Sequence, residues 1–202
     1  MRNIFIIGKM GSGKDTLAEL LVKHFNFRQV SIAGRLKTIA ELLYADVFAG
    51  NDRNQKRAIL QKLGDLLRSQ NINILNDALM REIKVKNMEP VVISDVRYSM
   101  EYDYFTSQDF IPVRINIDDK VRFDRLLMRD GTYPSLETLN HKSENDICVS
   151  TNRPFIEVNN NGSVEDLEKE AIELVMSRII TYEKAMGMAE SPIPAYERAA
   201  VN

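Results

Sequence analysis

Apolar residues along this chain occur either as short solid runs or as helically spaced repeats. Asn3-Ile4-Phe5-Ile6-Ile7 is apolar almost throughout and stops at Gly8, the pattern of a strand covered on both faces in a parallel sheet. Leu17, Leu20, Leu21 and Phe25 then recur at three- and four-residue spacing, so the glycine-rich stretch before them joins a strand to a helix. Further strands are predicted over residues 29–33, 90–94, 111–117 and 155–158, separated by helical patterns. Residues 54–70 and 72–87 read as two helices, more chain than a simple crossover needs, and about residues 35–88 are expected to form a helical subdomain over the sheet. Ser163-Val164-Glu165-Asp166 has the form of a capping box with Asp in the Glu position. It opens a helix, expected to end near Glu183, whose Val164, Leu167, Ala171, Leu174 and Val175 share one face. The expected fold is α/β, with a five-stranded, mostly parallel sheet inside three α/β/α layers.

Length and composition narrow the function classes. A chain of 202 residues favours one domain, over about residues 1–186, and the Pro192- and Pro194-containing tail 187–202 lacks periodicity and is expected to be flexible. Apolar residues at 44% and charged residues at 28% exclude disordered, collagenous and disulfide-scaffold classes. With 27 Lys and Arg against 29 Asp and Glu there is no basic field, so neither nucleic acid nor a membrane surface is expected as a partner. The apolar run Ile4 to Ile7 is shorter than a signal-peptide core, and Cys148 is the single cysteine, so the expectation is a cytoplasmic protein with an inert thiol. His24 and His141 are read as structural or exposed; with one cysteine they make no Cys/His zinc site, while carboxylates remain open to magnesium.

Gly8-Lys9-Met10-Gly11-Ser12-Gly13-Lys14 has the spacing of a phosphate-binding loop, whose glycines turn backbone N–H groups onto a polyphosphate while the lysine reaches its end. Its setting between a buried strand and an amphipathic helix makes Gly8, Gly11, Ser12, Gly13 and Lys14 candidates for nucleotide binding in a P-loop NTPase fold. Asp15 replaces the hydroxyl residue that usually meets Mg²⁺, and Thr16 comes one position later. Magnesium would then be held mostly through waters, with Asp15 either orienting it or only complementing the helix dipole. The order Lys14-Asp15-Thr16 is similar to the displaced threonine of adenylate-kinase-like enzymes.

Along residues 54–70, Arg57, Gln61, Gly64 and Arg68 fall within about a 60° stripe beside an arc of Ile59, Leu60, Leu63, Leu66 and Leu67. Such a stripe suits an anionic, planar ligand, with Gly64 leaving room for a ring; a solvated charged face accounts for the same spacing. Lys37, just after the second strand, is within reach of the same ligand. Asp95 follows an apolar strand at the edge where ligands of open α/β sheets sit, where it would orient Mg²⁺ and its waters. Arg97 would aim between the two phosphate groups, the alternative being a local salt bridge with Asp95. Arg122, Arg125 and Arg129 share a helix face leading into the polar stretch 130–145, which reads as a mobile lid with lid arginines; a solvated stripe is again the alternative.

Together these residues resemble the deoxynucleoside monophosphate kinases best known from bacteriophages, which are P-loop kinases. The likeness covers most of the chain: Gly13-Lys14-Asp15-Thr16, the Ala-Gly-x-x-Lys stretch ending at Lys37, Leu60-Gln61-Lys62-Leu63-Gly64, Ser94-Asp95-Val96-Arg97, His141-Lys142-Ser143-Glu144 and Asn160-Asn161-Gly162-Ser163. The resemblance implies transfer of the ATP γ-phosphoryl group, with Mg²⁺, to a (deoxy)nucleoside monophosphate. By the same resemblance Lys14 serves the donor phosphates, Lys37, Arg57, Gln61, Arg68 and Arg97 line the acceptor site, and Asn160, Asn161 and Gly162 border the donor base. Met100 stands where the family pattern has Asn and Asp65 where it has Thr, and without tryptophan any base stacking falls to Tyr44, Phe48 or Tyr98.

An acceptor that is already an anion needs no general base, so catalysis would rest on Lys14, Asp95, Arg97, Arg125 and Arg129, the arginines neutralising the transferring group as a lid closes. A hydroxyl acceptor, as in dephospho-coenzyme A kinases, would instead ask Asp95 to act as base, and phosphomevalonate is a further acceptor class. A nucleotide-dependent binding module that transfers nothing is the alternative outside catalysis, against which the stripe from Arg57 to Arg68 argues. The expected partners are small nucleotides, and a homodimer is left open.

Overall fold

The computed structural model describes residues 1–142, 144, 146 and 154–188; Ser143, Cys148 and residues 189–202 of the expected tail lie outside them. Strands β1 (Ile4–Ile7), β2 (Arg28–Val30), β3 (Val91–Ile93), β4 (Ile111–Asn116) and β5 (Ile156–Asn159) form a five-stranded sheet in the order β2-β3-β1-β4-β5. Every pairing is parallel, with Phe5 opposite Ile93 on one side of β1 and Ile6 opposite Val113 on the other.

The solid apolar run of β1 follows from its central position. Ile4 and Ile6 enter one core with Leu17 and Leu21 of α1 (Lys14–Phe25), whereas Phe5 and Ile7 enter a second core on the opposite face with Leu36, Leu79 and Phe105. Two cores either side of one sheet make the three layers expected from the sequence.

Four helices, α2 (Gly34–Leu43), α3 (Ala45–Ala49), α4 (Arg53–Gln70) and α5 (Ile74–Lys86), are inserted between β2 and β3. The pattern predicts only the last two, because α2 buries just Leu36 and Ala40 and leaves Leu42 and Leu43 in solvent, so no clean stripe marks it. Asp52 caps α4 by accepting from the N–H groups of Asn54 and Gln55, and Leu60, Leu63 and Leu67 pack on the second core; Leu66, expected with them, is 60% exposed. The second strand is shorter than expected, since Ser31 to Ala33 leave the sheet to meet Asp95.

The chain continues through α6 (Ser99–Thr106), α7 (Asp119–Asp130), α8 (Leu136–Asn140), α9 (Val164–Glu173), a π-helical turn (Leu174–Arg178) and α10 (Ile179–Ala185). The lid stretch thus contains a helical turn, α8, capped by Ser135, where the sequence pattern gives only loop. The capping box forms as read, Ser163 Oγ accepting from Asp166 N–H, but Val164 is 57% exposed rather than on the buried face. From β1 the chain crosses one face to β2, and from β3 it crosses the other face, through α6, to β4. The loops after β1 and β3 therefore part at the carboxyl edge, which opens the crevice where open α/β sheets bind ligands.

Candidate active site

The loop after β1 is held open by its backbone. Gly13 has φ +93, and a Cβ there would lie 2.2 Å from Asn160 Nδ2, so only glycine fits between the loop and the end of β5. Asn160 explains the closeness: its Nδ2 donates to the Ser12 carbonyl at 2.8 Å while its own N–H bonds Asn116 O at 2.9 Å, tying the loop to β4. Buried Lys14 folds back across the loop, Nζ donating to Gly8 O at 2.6 Å and Lys9 O at 2.9 Å. Helix α1 begins without a side-chain cap, and the buried Ser12 hydroxyl has no hydrogen-bond partner among the described residues. Uncapped N–H groups, the positive end of a helix dipole and a lysine make a cradle for oxyanions.

Beside the cradle is a cavity of about 530 Å³ lined by Gly11, Gly13, Lys14, Asp15, Thr16, Arg125, Arg129, Asn160 and Gly162, all residues named from the sequence. Leu126, Ser163, Val164 and Leu167 complete its wall and were not foreseen, although the helix start at Ser163 was the available signal. Asp15 Oδ1 accepts from Ser94 Oγ at 2.7 Å, linking α1 to the end of β3. Arg125 donates to Gly162 O at 2.7 Å, and Arg129 forks onto Asp130 at 2.9 and 2.7 Å, which raises its pKa. Asn161 is not part of this lining; its Oδ1 accepts from Asp118 N–H at 2.7 Å. Arg122 is also not a lid arginine, being buried and bonded to Asp119 and the Met10 carbonyl as a brace under the loop.

On the other side of the loop the acceptor candidates divide. Arg57 is half-buried on α4 and shares a cavity of about 190 Å³ with Arg129, Asp130 and Tyr133. Burial lowers the pKa of its guanidinium, Glu144 opposes that change, and Arg97 and Arg129 add to it, so these cations share one field. Arg97 pairs with Glu144, whose second oxygen accepts from Met10 N–H at 3.0 Å. Gln61 lies half-buried one turn beyond Arg57.

Arg68 does something other than the sequence predicts. Its guanidinium bonds buried Glu101 at 2.8 Å and stacks 4.4 Å from the Tyr98 ring centroid, and a Cβ at Gly64 would come within 2.8 Å of its Nη1. Gly64 therefore makes room for Arg68 itself. Tyr98 is buried, which pushes its pKa up to about 12, and with Arg68 on its ring it offers no open stacking face. Lys37 is exposed and stands 3.8 Å from Glu41, outside this group. Asp95 is spent as a strut, accepting from Ser31 Oγ, Ile32 N–H and Ala33 N–H at 2.7 to 2.9 Å. Asp65, at the family's threonine position, lies 3.5 Å from Tyr98 Oη and 3.6 Å from His141 Nε2.

A glycine loop shaped as an oxyanion cradle at the switch point of a parallel sheet is the arrangement of P-loop proteins, and the model of the AAA domain family matches residues 4–147. The chain belongs to the AAA domain family. Its relatives include an adenylate kinase from Schistosoma mansoni, 28% identical over 136 residues that span 64% of each chain. Adenylate kinase isoenzyme 1 from Rattus norvegicus is 23% identical over 188 residues, 89% of this chain and 92% of the rat protein. Among solved structures, shikimate kinase from Aquifex aeolicus superposes with a TM-score of 0.50 at 18% identity, covering 93% of this chain and 99% of that one. That likeness is one of fold: this AAA domain has the three-layer architecture of P-loop kinases.

Proposed function

We propose that this AAA-domain protein is an ATP-dependent kinase that moves the γ-phosphoryl group to a phosphate oxygen of a (deoxy)nucleoside monophosphate, giving ADP and a (deoxy)nucleoside diphosphate. The observation that carries the reading is that Arg57 and Arg97 share one electrostatic field with Arg129, which lines both the Lys14 cavity and the neighbouring Arg57 cavity, so a second cationic surface adjoins the cradle. Two anionic substrates need two such surfaces, and relatives that are adenylate kinases support the same class. The bond from Pγ to the leaving oxygen breaks as the acceptor oxygen bonds to Pγ, and Lys14, Arg97 and Arg129 neutralise the charge on the transferring group. Asp95, held by three donors, is not arranged as a proton acceptor, which supports an acceptor that needs none.

Asp15 and Thr16 fit a magnesium ion held largely through water, because they bring oxygen donors to the cradle and Mg²⁺ binds through one or two protein oxygens plus phosphates. When bound, the ion supplies charge neutralisation to the phosphates. The preference for a deoxy sugar rests on the resemblance to the phage enzymes. Titration calorimetry with a bisubstrate analogue, adenosine joined to a nucleoside through a polyphosphate, tests the two-surface reading. It should bind far more tightly than ATP or the monophosphate alone; affinity no better than that of ATP would contradict it.

A further inference from the structure

Glu144 places its carboxylate between the P-loop and Arg97, where a phosphate would be expected. Its carboxylate is buried, Oε2 accepting the Met10 N–H of the P-loop at 3.0 Å and Oε1 pairing with the Arg97 guanidinium. Its backbone N–H is taken by His141 O at 2.9 Å, so the side chain alone joins loop to arginine. A P-loop N–H and a guanidinium together form the donor set that recognises a phosphate, and a carboxylate is the side chain that most closely imitates one. We propose that Glu144 stands in for a substrate phosphate between the P-loop and Arg97, and that a phosphorylated ligand entering this site displaces it.

The alternative, a permanent strut, would leave a buried carboxylate against the charge of two bound phosphorylated substrates, with Arg57 and Arg97 shared between them. Displacement instead frees Arg97 for the incoming phosphate and removes the opposing charge near Arg57. It also gives the empty site a counterion, so that two guanidiniums and an anion cradle do not face each other unneutralised. The inference rests on the proposed function for calling the ligand a substrate, but its test does not.

Inorganic pyrophosphate, titrated calorimetrically into the full-length protein and into Glu144→Gln, reads the competition directly. Removing the competing charge should tighten pyrophosphate binding by about tenfold, whereas loss of a strut that positions Arg97 would weaken it. Equal or weaker binding by Glu144→Gln overturns the proposal. Should that variant unfold, Glu144→Asp keeps the charge but shortens the reach, and a gain of about threefold is expected, with no gain again overturning it. A turnover defect in Glu144→Gln with unchanged pyrophosphate affinity would make Glu144 a proton acceptor for a hydroxyl substrate and end the displacement account. Tighter pyrophosphate binding with no nucleoside monophosphate phosphorylated would instead overturn the acceptor reading and leave displacement standing.

Discussion

Arg68 Nη2 donates to Glu101 Oε1 at 2.8 Å, while Glu101 Oε2 accepts from the backbone N–H groups of Arg97 and Tyr98. Through one carboxylate, α4 is fastened to the first turn of α6 and to the segment that carries Arg97. Glu101 is 1% exposed, so Arg68→Ala leaves a buried charge without its main partner and should cost about 3–5 kcal/mol of stability. Arg57→Ala removes a half-buried side chain without stranding a partner, and should change stability by less than about 1 kcal/mol while raising the acceptor KM roughly tenfold and sparing ATP binding. Urea unfolding with steady-state kinetics separates the two. Equal KM effects with no stability loss in Arg68→Ala would return Arg68 to the acceptor site.

The same pair sets a pH dependence. Burial pushes the Glu101 carboxyl above the usual glutamate range, and Arg68 with the Arg97 N–H works against that rise. Without Arg68 the folded-state pKa rises further above the unfolded value near about 4.3, so the carboxyl's contribution is favourable below that value and is lost as pH rises through the folded pKa. The stability deficit of Arg68→Ala should therefore be small near pH of about 4 and grow toward neutrality. A deficit constant with pH would show that packing on Tyr98, and not charge, is what Arg68 contributes.

Lys14→Ala should keep the fold and lower phosphoryl transfer by roughly 100-fold or more, the effect of deleting a preorganised charge. Circular dichroism with turnover measurements checks it. Near-normal turnover would take the P-loop out of the chemistry.

Residues 130–142 should gain hydrogen-exchange protection when donor and acceptor analogues bind together, because Arg129 and Asp130 already reach across to Arg53 and Arg57 on α4. Protection unchanged by a bisubstrate analogue would leave Arg125 and Arg129 as donor-cavity residues of a lid that does not close.

The sheet, the P-loop and the cavity beside it are legible because each writes a local pattern: an apolar run for β1, glycines where φ must be positive, a capping box at Ser163. The polar face of α4 is only half legible. Helical spacing groups Arg57, Gln61, Gly64 and Arg68 correctly, but spacing is blind to partners on other elements, so Glu101 claiming Arg68 and the Ser31 to Ala33 backbone claiming Asp95 left no trace in the sequence. Asn160 shows the converse, since the residue that the resemblance sets beside the donor base lines the cavity next to the P-loop and also braces the loop through its bond to the Ser12 carbonyl. Helix α2 leaves no readable stripe because Ile39, Leu42 and Leu43 stand in solvent among Arg35, Lys37 and Glu41, and periodicity needs contrast.

Phosphotransfer from ATP·Mg²⁺ across a panel of ribo- and deoxynucleoside monophosphates, with dephospho-coenzyme A, phosphomevalonate and shikimate as controls, tests the chemical class of the acceptor most directly. Stoichiometric ADP and nucleoside diphosphate are expected from at least one monophosphate, with a deoxynucleotide preferred and the controls inert. Phosphorylation of a control with every monophosphate unchanged would contradict the nucleoside monophosphate reading.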